Sequence, residues 1–111
     1  RRWAPTGLGV AVARAGIDPR RLVEAIEPNA CFSPLVGMKL PRIVARDYEP
    51  HFSLKHMFKD SQYALNLGKQ LGLEQPVLST TASVMFRAIQ KGRGEQDYSV
   101  VAMDYQEAEP R

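Results

Sequence analysis

The sequence predicts an all-α fold, a single compact domain of about six helices. Apolar residues recur every three or four positions along each long segment, and no stretch alternates over several residues as a half-buried strand would. Proline and glycine fall at the segment boundaries, where they start and stop helices. A length of 111 residues suits one domain able to bury a real core.

Each element follows from this punctuation. The first segment spans about Thr6 to Ala15, with Leu8, Val12 and Ala15 on one face and Gly16 as its stop. Pro5 fits only a first turn, because a mid-helix proline costs about 3 kcal/mol. Asp18–Pro19 is an N-cap acid followed by proline at the first helical position, and it opens a helix carrying Leu22, Val23 and Ile26. Ser33–Pro34 repeats the device ahead of Leu35, Met38 and Leu40. Pro41 is expected to break or kink that helix, with Arg42 to Arg46 as a further turn or two.

The longest helix is expected from Ser53 to Leu71, with Leu54, Met57, Phe58, Ala64, Leu65 and Leu71 as its apolar side and Gly72 closing it. Pro76 opens the next, which runs to Gln90 and presents Val77, Leu78, Thr81, Ala82, Met85, Ala88 and Ile89. Gly92 and Gly94 end it, and Asp97 caps a short last helix with Val100 and Val101. The domain so drawn covers residues 10–104, after an atypical N-terminal segment at 1–9 and before an acidic, proline-containing tail at 105–111 that is expected to fray.

Composition excludes several classes. With 44% hydrophobic and 24% charged residues the chain is neither disordered nor fibrous. The net charge of +3 comes from scattered basic residues, without a run of like charges or a basic–aromatic stripe, so no nucleic-acid partner is expected. A lone cysteine, Cys31, rules out an internal disulfide and points to the cytoplasm. No apolar run reaches the roughly 18–20 residues that span a bilayer, so no membrane partner is expected.

Individual motifs mostly fail on physical grounds. Gly7-Leu8-Gly9 lacks the third glycine of a dinucleotide fingerprint, whose place is taken by Val12, and no strand precedes it. Gly68–Lys69 sits inside a helix without the rest of a phosphate loop. His51 and His56 are five residues apart, where helical metal ligands need three or four, so no metal site is expected and both read as surface or helix-end histidines. Cys31 reads as a small buried or half-buried thiol rather than a nucleophile.

Phe52-Ser53-Leu54-Lys55-His56-Met57-Phe58-Lys59-Asp60 carries more information. Lys59 and Asp60, adjacent on a helix, point about 100° apart and do not simply pair with each other. Lys59 lies about two turns beyond Phe52, so the two share a face if the helix reaches back that far. On physics alone, a solvent-facing Lys–Asp on an amphipathic helix accounts for the pattern.

Phe52-x-Leu54-x-x-Met57-x-Lys59-Asp60, followed by Ala64 and Gly72, resembles the Phe-x-Leu-x-Leu-Met-x-Lys-Asp signature of the β-hydroxyacid dehydrogenases, the group of 3-hydroxyisobutyrate dehydrogenase and the glyoxylate/succinic semialdehyde reductases. The flanks agree in order: Ala13-x-x-Gly16-Ile17-Asp18 before it, and Gly72-x-x-x-Pro76, Phe86-x-Ala88 and Gly92-x-Gly94-x-x-Asp97-Tyr98-Ser99 after it. The resemblance covers about residues 10–102 and is to the helical C-terminal domain of 6-phosphogluconate and 3-hydroxyisobutyrate dehydrogenases. In that family an N-terminal Rossmann domain binds NAD or NADP, and the helical domain closes over the cofactor and builds the dimer.

The resemblance implies that Lys59 approaches the dinucleotide near its nicotinamide, that Asp60 beside it helps hold the site together, and that Phe52 lines the closed active site. Lysine suits such a place as a point charge near phosphate and ribose oxygens. The sequence also departs from the pattern. Position 55 is lysine and His56 stands where leucine is usual. Pro5, Gly7 and Gly9 are poor helix formers where the family has a long helix. The family's glycine-rich fingerprint, Ser-Gly-Gly substrate loop and Gly-x-x-x-Lys-x-x-Asn catalytic helix are missing from these residues.

The expectation is therefore a truncated or orphan C-terminal domain of an NAD(P)-dependent β-hydroxyacid dehydrogenase, inactive and without bound cofactor alone, with no catalytic residue of its own. Its expected partners are a second copy in a homodimer and a separate Rossmann-domain polypeptide. The alternative is a non-catalytic helical interaction or ligand-binding module that kept the fold.

Overall fold

A computed structural model describes residues 11–107 of the chain. The described residues form α-helices and one 3-10 turn, with no strand among them, as the periodicity predicts. In chain order the helices are α1 (Pro19–Ile26), α2 (Pro34–Val44), α3 (Leu54–Gln70), α4 (Pro76–Gln90), a 3-10 turn (Tyr98–Val101) and α5 (Ala102–Glu107). Residues 11–14 are helical as well, and the expected start of that segment near Pro5 lies outside the described residues, as do the 1–9 segment and residues 108–111.

Helix starts follow the side chains that cap them. The Asp18 carboxylate accepts the Arg20 backbone N–H at 3.0 Å, and Ser33 Oγ accepts the Val36 N–H at 3.2 Å. Each satisfies a donor that the first turn cannot use internally, and each is followed by proline at the first helical position.

Four of the described helix ends share one closure. After residues 11–14, Ile17 N–H donates to Val12 O and Gly16 N–H to Ala13 O. The same pair of bonds recurs at Gly72 and Gly92, and both bonds require the central residue to adopt positive φ. α2 ends identically, with Arg46 N–H on Ile43 O and Asp47 N–H on Arg42 O, but here Arg46 holds the left-handed conformation at φ 55°.

Pro41 does not break α2. The helix runs through it to Val44, and the Ala45 N–H bonds Pro41 O at 3.0 Å. Proline removes the donor that would have reached Gly37 O, and its exposed position gives the ring room beside the helix.

The described residues group into two compact units. The first contains α1, α2 and α5. Gln106 of α5 accepts the Tyr48 hydroxyl at 2.7 Å and donates from Nε2 to Ile43 O at 3.0 Å. Residues 105–107, expected as the start of the tail, belong to α5, which is held through Gln106. Gly37 lies close against Phe32: a Cβ there would be 2.7 Å from Cζ of the ring, which would have to shift. Cys31 is exposed, which corrects the expected buried or half-buried thiol. Its backbone N–H donates to Asn29 Oδ1 at 2.8 Å in a turn that holds the segment at the surface.

The second unit, Glu49–Val101, is a helical hairpin of α3 and α4 closed by the 3-10 turn. The buried residues of α3 are Leu54, Ser61 and Gly68, spaced seven apart, with Ala82, Met85 and Ala88 buried on α4. Most of these buried positions hold small residues, and the apolar stripe read from sequence is only partly buried. Met57, Phe58 and Leu65 are half-buried, while Ala64, Leu71 and Val77 are exposed. Ser61 is accommodated because its hydroxyl donates to Phe58 O at 2.6 Å. The Gln75 side chain, donating to Ala64 O at 3.1 Å, occupies the place a Cβ would take at Gly68 and would have to shift to admit one.

Candidate cofactor-facing site

The start of α3 gathers the residues singled out by sequence. Helix α3 begins at Leu54, so Phe52 lies two residues before it and shares no helical register with Lys59. Instead the segment entering α3 is laid against the segment leaving α4. Leu54 N–H donates to Gln96 O at 2.8 Å, Lys55 N–H to Gly94 O at 3.0 Å, and Tyr98 N–H to Phe52 O at 3.0 Å. The Lys55 ammonium adds an ion pair to Glu95 at 2.6 Å. Being exposed, that pair contributes at most about 1 kcal/mol.

Asp97 joins the two segments from beneath. It is only 1% exposed. Its Oδ1 accepts the backbone N–H groups of His51 at 3.0 Å and Phe52 at 3.2 Å. Its Oδ2 accepts the Ser99 N–H at 3.1 Å and the Ser99 hydroxyl at 2.6 Å. The sequence marks Asp97 only as a helix cap. Its long-range half is a contact across more than forty residues that local pattern does not report.

Phe52 is 40% exposed beside this bracket, and its ring lies 6.0 Å from that of His56. His56 is an exposed residue in the first turn of α3, as expected of a helix-end histidine, and His51 is exposed as well. A hydrogen bond joins His56 Nδ1 to Ser53 Oγ, which explains why the Ser53 hydroxyl does not cap the helix. Lys59 and Asp60 follow, both exposed on the first half of α3. Among the described residues neither is held in an ion pair, including with the other. Behind them Phe58 packs on Phe86 of α4 at 5.6 Å between ring centroids.

The chemistry of this donor set fits one side of a dinucleotide site. An exposed ammonium on an early helical turn can meet phosphate or ribose oxygens, and a half-exposed ring can cover an aromatic base or nicotinamide. Among the described residues no group of three or more His, Cys, Asp or Glu is placed to hold a metal ion. No described helix is long and apolar enough to cross a membrane.

Comparison with known proteins agrees with the sequence motifs. The chain is 40% identical over 96 residues to the cytokine-like nuclear factor N-PAC of Aedes aegypti, a match covering 84% of this chain and 17% of that protein. It is 30% identical over 88 residues to the chloroplastic glyoxylate/succinic semialdehyde reductase 2 of Arabidopsis thaliana, covering 79% of this chain and 25% of that one. The crystal structure of a 3-hydroxyisobutyrate dehydrogenase from Salmonella typhimurium superimposes with a TM-score of 0.82 at 25% identity, over 91% of this chain and 35% of that chain. This chain thus spans a quarter or less of the length of these two relatives. Residues 6–104 match the family described as NAD-binding of NADP-dependent 3-hydroxyisobutyrate dehydrogenase, and the chain belongs to that family.

Proposed function

We propose that this chain is the helical C-terminal part of an NAD(P)-dependent β-hydroxyacid dehydrogenase and supplies one wall of its cofactor site. Lys59 is the cation facing the dinucleotide, Asp60 steadies the site beside it, and Phe52 lines the closed active site. The observation that carries the reading is the placement of Lys59 and Phe52, both solvent-accessible at the same end of the α3–α4 hairpin. A bound nicotinamide cofactor supplies the hydride chemistry. The residues here bind and orient it, and by themselves they are catalytically incomplete. The remaining walls come from a Rossmann fold, and a second copy of the chain completes a homodimer. Family membership and the motif order around Lys59 support this reading.

The test is a titration with NAD(H) and NADP(H), first of the chain alone and then of the chain mixed with a dinucleotide-binding polypeptide of the same family. Weak or no binding is expected alone and measurable binding in the mixture. Lys59→Ala is expected to lower affinity about tenfold or more, the effect of losing one charge-assisted contact. No binding in the mixture, or no response to Lys59→Ala, favours the second reading, a helical interaction module that kept the fold. The N-PAC relatives, whose name describes a nuclear factor rather than a reductase, are the observation behind that alternative.

A further inference from the structure

We propose that Asp97 is a positioning residue for this wall: its buried carboxylate sets the course of His51 and Phe52 and so fixes where the Phe52 ring stands. The proposal rests on the reading of Phe52 as a residue lining the cofactor site. Phe52 precedes α3, so helical hydrogen bonding does not fix its backbone. What holds it is one bond from its carbonyl to Tyr98 N–H and one from its N–H to Asp97.

The choice of aspartate follows from counting acceptors. At least four donors converge on the group, among them His51 N–H, Phe52 N–H, Ser99 N–H and the Ser99 hydroxyl. An ionised carboxylate has about four lone-pair positions, two on each oxygen, and can serve these four donors. An asparagine has two such positions and places an NH2 group against two of the donors. At 1% exposure, water is not at hand to replace a lost partner, so the bracket is held whole by a carboxylate. Ser99 is the second jaw. Its two bonds fix Oδ2 and thereby aim Oδ1 at the segment that carries Phe52.

The experiment uses the full 111-residue chain. Amide hydrogen exchange is followed by NMR in the wild type, Asp97→Ala and Ser99→Ala, together with the through-space contact between the Phe52 and His56 rings. In Asp97→Ala, exchange at His51 and Phe52 is expected to rise about tenfold or more, the loss of a charge-assisted bond. The ring contact is expected to be lost while amides of α4 keep their protection. Ser99→Ala, which leaves the Oδ1 bonds in place, is expected to show a smaller rise. If Asp97→Ala does not fold, Asp97→Asn takes its place, and a rise is then expected at His51 and Phe52 or at Ser99. Unchanged exchange at all three amides overturns the proposal, and so does loss of α4 protection in step with them, which makes Asp97 a general fold residue.

A cycle of variants in the dinucleotide-binding mixture tests the link to the cofactor wall. Asp97→Ala should weaken NADPH binding about as far as Phe52→Ala, and the double variant should be no weaker than Phe52→Ala alone. Additive losses overturn the positioning role. Should the wild-type mixture not bind NADPH, the cofactor reading fails, while the exchange measurements still decide whether Asp97 places Phe52.

Discussion

Arg46 occupies a backbone position that glycine fills at three other helix ends in this chain. At φ 55° an arginine carries the steric cost of its Cβ, whereas Gly16, Gly72 and Gly92 adopt φ of 82°, 70° and 84° without it. Arg46→Gly should therefore raise stability by about 0.5–1 kcal/mol, the relieved strain being partly offset by a freer unfolded chain. An unchanged or lower midpoint in urea unfolding would contradict this. Asp18 belongs to the same scale. The side-chain hydrogen bond from Arg20, with the Arg20 backbone N–H, holds its carboxyl well below the ordinary range, at about 2. A carboxyl depressed in the folded state stabilises above its unfolded pKa, and that contribution disappears as pH falls through the folded value. Carboxylate NMR should place the Asp18 midpoint near 2. Arg20→Ala should move it upward, part of the way toward about 3.9. Because the pair is exposed, helix α1 should loosen only slightly over that pH range.

The elements are set by their ends more than by their apolar stripes. Paired backbone bonds close α2, α3 and α4, and side-chain oxygens cap α1 and α2. α2 contains the one described mid-helix proline, which costs a backbone hydrogen bond without ending the helix. Since Pro41 is exposed, Pro41→Ala should restore a donor for the Gly37 carbonyl without opening a cavity. The expected gain is about 1–2 kcal/mol, less than the full mid-helix penalty because proline also restricts the unfolded chain. Thermal unfolding should show a higher midpoint, and a lower one would mean that the helix relies on the proline.

For the whole molecule, exposed apolar side chains bear on association. Tyr63 and Leu67 stand one turn apart on α3, with Leu71, Leu73 and Val77 following through the connection into α4, and each is at least 56% exposed. A continuous run of such residues at one end of a hairpin favours contact with another protein surface, and a second copy is the proposed occupant. Light scattering at micromolar concentration should give the mass of a dimer. Leu67→Glu combined with Val77→Glu should give a monomer with unchanged helical circular dichroism. A monomeric wild type would rule out the homodimer.

The sequence by itself determined the fold class, most helix boundaries and the family. Those rest on local rules: apolar period, Asp18–Pro19 and Ser33–Pro34 at helix starts, Gly16, Gly72 and Gly92 after helix ends, and an ordered set of short motifs from Ala13 to Ser99. Pro41 does not end α2, because the cost of a proline is a free-energy difference that surrounding helix can absorb. Which apolar residues are buried was only partly legible. On α3 the buried positions include Ser61 and Gly68, which hydropathy ranks low and close packing favours, whereas Ala82 and Ala88 of α4 lie on the apolar face that the period predicts. Two placements escape the apolar pattern, Cys31 for a local reason and Asp97 for a tertiary one. An Asn29 turn holds the first at the surface, and the second reaches across the chain to His51 and Phe52. Local sequence reports a residue's bonds to its neighbours within a turn or two, and the wall around Phe52 is made by bonds between segments more than forty residues apart.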